Sequence, residues 1–170
     1  MKPLKIAMLS LTHGHTRKYF RTLEESPQLD WVAASAADDV VEERFRQAVK
    51  GVPCYRDEEE MFDRHPEIEA VVLASDNSEH LRQMKACVER GIHILSMKIP
   101  TFDLDEYDQM IELVERAGLV CQIELELHYN PVVHRVKKLV ADGTVGRILS
   151  IQATNITLSP VWAFPWQGVP

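Results

Sequence analysis

Through its first 124 residues the chain alternates short apolar runs with longer amphipathic stretches. The run from Lys5 to Leu9 has no alternating polar positions, the mark of a strand covered on both faces. Trp31 to Ala34, Ile68 to Ala74, Ile92 to Ser96 and Leu119 to Ile123 read the same way, and a short piece at Cys54-Tyr55 makes up the set of six. Between them, apolar positions recur at helical spacing. Tyr19, Phe20 and Leu23 mark one helix; Val41, Phe45, Ala48 and Val49 mark the next, with Gly51 as its expected C-cap. The acidic run Asp57-Glu58-Glu59-Glu60 suits a helix start, where negative charge meets the positive end of the dipole. A further helix is expected from about Ser78 to Arg90, capped by Asn77 or Ser78 and ended by Gly91. The last of the series opens on an Asp103-x-x-Glu106 capping box, turns Leu104, Tyr107, Ile111 and Val114 to one side and stops at Gly118. Strands alternating with helices in this way imply right-handed crossovers and one parallel sheet, the doubly wound α/β pattern, complete near residue 124.

The rhythm then changes. Asn130-Pro131 reads as an N-cap and first helical residue; Val132, Val133, Val136, Leu139 and Val140 follow, and Gly143 ends the helix. From Arg147 to Thr154, Leu149, Ile151 and Ala153 alternate with Ser150, Gln152 and Thr154, which predicts a half-buried strand of an open sheet. Residues from Leu158 to Pro170 are rich in proline and aromatics and show no periodicity. The expected organisation is one complete domain over 1–124 and the beginning of a second α/β domain over 125–170, cut short. Such a strand would have an unpaired edge, and Trp162, Phe164 and Trp166 would need cover. The chain is therefore expected to form a homo-oligomer or to fold its tail back on the first domain.

Composition narrows the classes. Of 170 residues, 45% are hydrophobic and 26% charged, ordinary for a globular protein. A net charge of −7, with no basic stripe, argues against nucleic acid or an anionic membrane surface as the main partner; Arg135, Lys137 and Lys138 suit a solvated helix face. No apolar run approaches the roughly 18 residues of a membrane span, and the stretch before Lys5 is too short for a signal segment. Cys54, Cys87 and Cys121 are far apart and form no C-x-x-C pair, which suits reduced, mostly buried thiols in a cytoplasm. Without secretion, the glycosylation-like Asn155-Ile156-Thr157 is chance.

In a parallel doubly wound sheet, ligands bind outside the carboxyl ends of the strands. Four loops meet that condition. In Ser10-Leu11-Thr12-His13-Gly14-His15, a dinucleotide fingerprint would put glycines at Ser10, Thr12 and His15, and only Gly14 is present. The helix that follows still offers free N–H groups and a positive dipole end to a pyrophosphate. Thr12 puts a β-branched side chain where close approach is wanted, which predicts weakened or altered cofactor binding. His13 and His15 face the phosphates or are ordinary loop residues; two histidines at i, i+2 without further ligands nearby make no zinc site, and no metal is expected.

At the second strand's end, Ala36-Ala37 stand where an acid would hold the adenosine ribose. Either Asp38 substitutes from a later position or no carboxylate reads the ribose, and Asp38 and Asp39 also suit helix capping. In the third loop Ser75 and Asn77 lie at the rim, and His80 either shapes a nicotinamide pocket or is a plain first-turn residue. In the fourth, Met97-Lys98-Ile99-Pro100, Lys98 is a candidate proton donor or acceptor, since partial burial lowers a lysine pKa toward neutrality; a surface lysine is the alternative.

Lys5-Ile6-Ala7, the stretches Val71 to His80 and Gly91 to Lys98, Asn130-Pro131 and Gly143-x-x-Gly146 together resemble the Gfo/Idh/MocA family, the glucose-fructose oxidoreductase and inositol dehydrogenase group. The resemblance covers residues 4 to about 155. It implies a Rossmann domain that binds NAD or NADP through the first and third loops, and a C-terminal α/β domain that holds the substrate. It also implies hydride transfer, in the full-length form, between the nicotinamide and a hydroxyl-bearing carbon of a sugar, inositol or related polyol. The family's Glu-Lys-Pro signature falls on Met97-Lys98-Ile99, keeping the lysine, and its Thr-Pro-Asn turn falls on Ser75-Asp76-Asn77. The family's catalytic histidine lies beyond the point matching Pro170, so the chain is expected to be an N-terminal piece of the enzyme. The alternative is a Rossmann-like module without cofactor chemistry, a sensor or assembly partner, in line with the missing glycines and the absent strand-two acid.

Overall fold

The computed structural model describes residues 2–154. The elements run β1 (Leu4–Leu9), α1 (Thr16–Glu25), β2 (Leu29–Ser35), α2 (Asp39–Ala48), β3 (Cys54–Tyr55), α3 (Glu58–Arg64), β4 (Ala70–Leu73), α4 (Asn77–Glu89), β5 (His93–Ser96), α5 (Leu104–Ala117) and β6 (Cys121–Ile123). A 3-10 turn (Glu126–Tyr129) and α6 (Pro131–Ala141) follow. The six strands form one sheet, ordered β3-β2-β1-β4-β5-β6, with every pairing parallel. The order reverses between β1 and β4, the switch point of a doubly wound sheet.

Both faces of the sheet are covered, as the unbroken apolar runs require. On β1, Ile6 and Met8 join one core with Trp31, Phe45 and Val72; Ala7 and Leu9 join the other with Met61, Val71, Leu73, Met84 and Met110. The first core is anchored by three rings, Phe20, Trp31 and Phe45, with centroids 5.5 to 5.6 Å apart, within the range of favourable aromatic pairs. The chain divides into two compact units, Met1–Glu124 and Leu125–Pro170. In the second, α6 starts where Asn130 Oδ1 accepts the Val132 N–H at 2.8 Å, with Pro131 at the first turn.

Several local expectations need correction. The segment Arg147 to Thr154 is not a strand, and Leu149 and Ile151 are exposed. A strand exists through its ladder, and among the described residues nothing pairs with this one. The C-cap of α2 is Val49, not Gly51, which turns with φ 81° on the way to β3. Helix α4 is capped by Asp76, not Asn77 or Ser78, and without a side-chain cap bond, because the Asp76 carboxylate accepts the Thr12 hydroxyl instead. Asp103 accepts the Glu106 N–H at 3.0 Å, but its own N–H donates to Thr101 Oγ1, so the capping box is half built. The buried face of α5 is Met110 and Val114; Leu104 and Ile111 are exposed, since the stripe is turned by less than one residue step from the expected one. Asn155-Ile156-Thr157, Trp162, Phe164 and Trp166 lie outside the described residues.

Candidate functional site

The carboxyl ends of β1, β4, β5 and β6 deliver a cluster of polar side chains to one rim. After β1 the backbone turns sharply, with Ser10 at φ 66° and Leu11 at φ 61°, left-handed conformations that favour glycine. Ser10 is locked in place. Its N–H donates to Ser35 Oγ at 3.0 Å, its carbonyl accepts the Ala37 N–H at 3.1 Å and its hydroxyl accepts from Gln83 Nε2 at 2.8 Å. The next donors are also committed: Leu11 N–H to the Leu9 carbonyl, His13 N–H to the Ala74 carbonyl and His15 N–H to His13 Nδ1. Thr12 and Gly14 keep N–H groups unclaimed among the described residues at the mouth of α1. Such donors, aided by the helix dipole, suit a pyrophosphate.

His13 is 3% exposed. Burial, then the neighbouring His15, pushes its pKa down to about 4, against the pull of Glu124; His80 and Lys98 push the same way as burial. The ring is therefore neutral at pH 7, and because Nδ1 accepts the His15 N–H, the proton sits on Nε2. His15 packs edge-on to His13 at 5.1 Å and directs Nδ1 to the buried Glu124 carboxylate at 2.8 and 3.1 Å. Among the described residues, no group of three or more His, Cys, Asp or Glu is arranged to hold a metal ion.

The third loop is tied to the first. Thr12 Oγ1 donates to Asp76 Oδ1 at 3.2 Å, and buried Ser75 donates to Gln83 Oε1 at 2.6 Å. His80 is fully buried; its Nδ1 lies 2.8 Å from the Ile99 carbonyl. Burial lowers its pKa, opposed by the backbone of Ile99 and Ser75. His80 Nε2 and Asn77 Oδ1 are buried without a hydrogen-bond partner among the described residues. Lys98, half-buried, precedes Ile99 across a cis peptide bond, and its charge acts on His13.

Ser10, Thr12, His13, His15, Ser75, His80 and Lys98 thus belong to one connected rim. Gly14 is exposed beside it, and Asn77 opens α4. Asp38 is not drawn in: Oδ1 caps α2 by accepting the Val41 N–H at 2.7 Å, while Asp39 is already helical. Three rim residues are not foreseen from the sequence. Glu124 sits at the carboxyl end of β6, where the strand-end rule that picked four loops would have found a fifth. Gln83 belongs with His80, Met84 and Cys87 to the buried stripe of α4, a polar residue at an apolar position. Glu58, from the acidic run, accepts from Gln83 and from Ser10 at 3.3 Å instead of only facing water.

The sequence pattern of an oxidoreductase family with an NAD-binding Rossmann fold, GFO_IDH_MocA, matches residues 8–125. The chain belongs to this family. Myo-inositol 2-dehydrogenase of Thermotoga maritima is 25% identical to it over 140 residues, 81% of this chain and 42% of the relative. Among solved structures, myo-inositol 2-dehydrogenase from Lactobacillus plantarum superposes with a TM-score of 0.78 at 22% identity, over 86% of this chain and 43% of its own. Scyllo-inositol dehydrogenase from Lactobacillus casei, with bound NAD(H) and scyllo-inositol, superposes at 0.76 and 19% identity over 85% and 43%. Both structures share the fold. The chain spans about two fifths of the length of the relatives it matches. No helix among its described residues is long and apolar enough to cross a membrane.

Proposed function

We propose that this chain is the nucleotide-binding part of an NAD- or NADP-dependent oxidoreductase that acts on an inositol, a sugar or a related polyol. The observation that carries the reading is the pair of unclaimed N–H groups on Thr12 and Gly14, set at the start of a helix and at the sheet's switch point. The inositol dehydrogenases among its relatives support the substrate class.

When bound, the nicotinamide supplies the hydride acceptor or donor. The residues of this chain bind the nucleotide and handle a proton. Thr12 and Gly14 hold the pyrophosphate, with the Thr12 side chain restrained by Asp76. Ser10 and Ser75 act through Gln83 to fix the first loop against the third. His80 steadies the loop of Lys98 through the Ile99 carbonyl. Lys98 then holds or delivers a proton at the substrate oxygen while the C–H bond is made or broken. His13 and His15 line the rim, His13 as a neutral donor.

Titration of the chain with NADH by calorimetry tests this. Saturable binding at one site is expected, and Gly14→Asp, which sets a carboxylate against the phosphates, weakens it by about tenfold or more. No binding at millimolar NADH, or full-strength binding by the variant, sinks the reading.

A further inference from the structure

Beyond the end of β2 the rim opens into a cleft of about 400 Å3. Its floor is Ser10 and the Ser35-Ala36-Ala37 backbone; no carboxylate projects from the strand end itself. In a dinucleotide crevice this half takes the adenosine, and the residue read there is the ribose 2′ position. Carboxylates dominate the walls: Asp57, Glu58 and Glu59 at the start of α3 and Glu79 in the first turn of α4, against Arg56 and Arg82. Both guanidiniums are engaged. Arg82 donates to Glu58 at 3.0 Å and to Glu79 at 2.8 Å, and Arg56 lies 3.5 Å from Asp39. Glu59 pairs with Arg90. With these outer partners included, five carboxylates (Asp39, Asp57, Glu58, Glu59, Glu79) meet three guanidiniums, a net of −2. Glu58 is the most enclosed of the wall carboxylates that form ion pairs, its side chain 16% exposed and tied to Ser10 and Gln83, so its charge cannot swing away.

We infer that this charge makes the chain selective for NAD over NADP, with the acids of α3 and α4 taking the place of the missing acid at the end of β2. The inference rests on the nucleotide binding proposed above. A free 2′-hydroxyl is a donor and finds carboxylate acceptors; a 2′-phosphate brings a second dianion into a cleft already negative and partly shielded from solvent, where Arg56 and Arg82 each already face a carboxylate. The acidic run therefore does more than complement a helix dipole.

The test is calorimetric titration of the full chain with NADH, NADPH, 5′-AMP and 2′,5′-ADP, at low and at high salt. NADH is expected to bind about tenfold tighter than NADPH, and 5′-AMP about tenfold tighter than 2′,5′-ADP, at low salt, with both gaps narrowing as salt screens the cleft. The double variant Glu59→Gln, Glu79→Gln narrows them as well, by strengthening the two ligands that carry a 2′-phosphate. Equal or tighter binding of NADPH, or a preference that neither salt nor the double variant moves, overturns the inference and leaves nucleotide binding standing. Binding of none of the four ligands removes both.

Discussion

The fold alters the chemistry of His13 strongly. Folded, it stays neutral down to about pH 4, whereas in the unfolded chain a histidine takes up its proton near pH 6.5. Between those values the unfolded state binds more protons, so the stability tied to His13 is fully present above pH 6.5 and is lost as the pH falls toward 4. His80, also lowered by burial, adds with the same sign. Urea unfolding at pH 7 and pH 4.5 should show a loss of roughly 2 to 3 kcal/mol from His13, and His13→Gln should remove most of that part of the pH dependence. Asp38 gives a second prediction at this scale. As the α2 cap, it tolerates Asn, and Asp38→Ala costs about 1 kcal/mol. NADH affinity should be unchanged in both variants; a drop in Asp38→Asn would show that the carboxylate reads the ribose after all.

At the scale of elements, the helices are joined to the sheet by two different devices. One is apolar: Phe45 of α2 is 2% exposed and wedged between Phe20 and Trp31. Phe45→Ala should cost about 3 to 5 kcal/mol in chemical denaturation. The other is polar: Gln83 of α4 is fully buried and meets Ser75, Ser10 and Glu58 at once. Gln83→Leu strands those groups and should cost about 3 kcal/mol, whereas Ser75→Ala, which leaves Gln83 two of its partners, should cost about 1 kcal/mol. The contrast also explains which elements are legible in the sequence. Val71-Val72-Leu73 reads as a strand covered on both faces because the apolar run is short and rich in β-branched residues. Gln83 and Glu58 could not be placed inside, because periodicity assigns polar residues to water and says nothing of a network waiting for them. The alternation from Leu149 to Thr154 misled for the opposite reason: the pattern of a half-buried strand was there, but a pattern makes no ladder without a neighbour.

For the molecule as a whole, the two cores lie within residues 2–124. A chain ending at Glu124 should therefore unfold in one cooperative transition, at nearly the denaturant midpoint of the whole chain, and should bind NADH equally well. A broad, non-cooperative melt of the shortened chain would show that its stability depends on residues 125–170. The rim loops were legible because topology alone sends the carboxyl ends of parallel strands to one edge, whatever residues occupy them. The acids of the cleft beyond β2 were not legible, since Glu58 and Glu79 reach it from helices far from β2 in sequence.

The bond between His15 and Glu124 has one more consequence. It joins the loop after β1 to the first residue past β6, three strand spacings away, or about 14 Å. A three-residue border strand is the part of any sheet that peels first, and here a single imidazole acts as a rivet across its open end. In Glu124→Gln, amide hydrogens of Leu95 and Val72 should keep their slow exchange with deuterium while Gln122 and Glu124's replacement, whose N–H groups face β5, exchange early, so that the far margin of the sheet frays on its own and the centre holds.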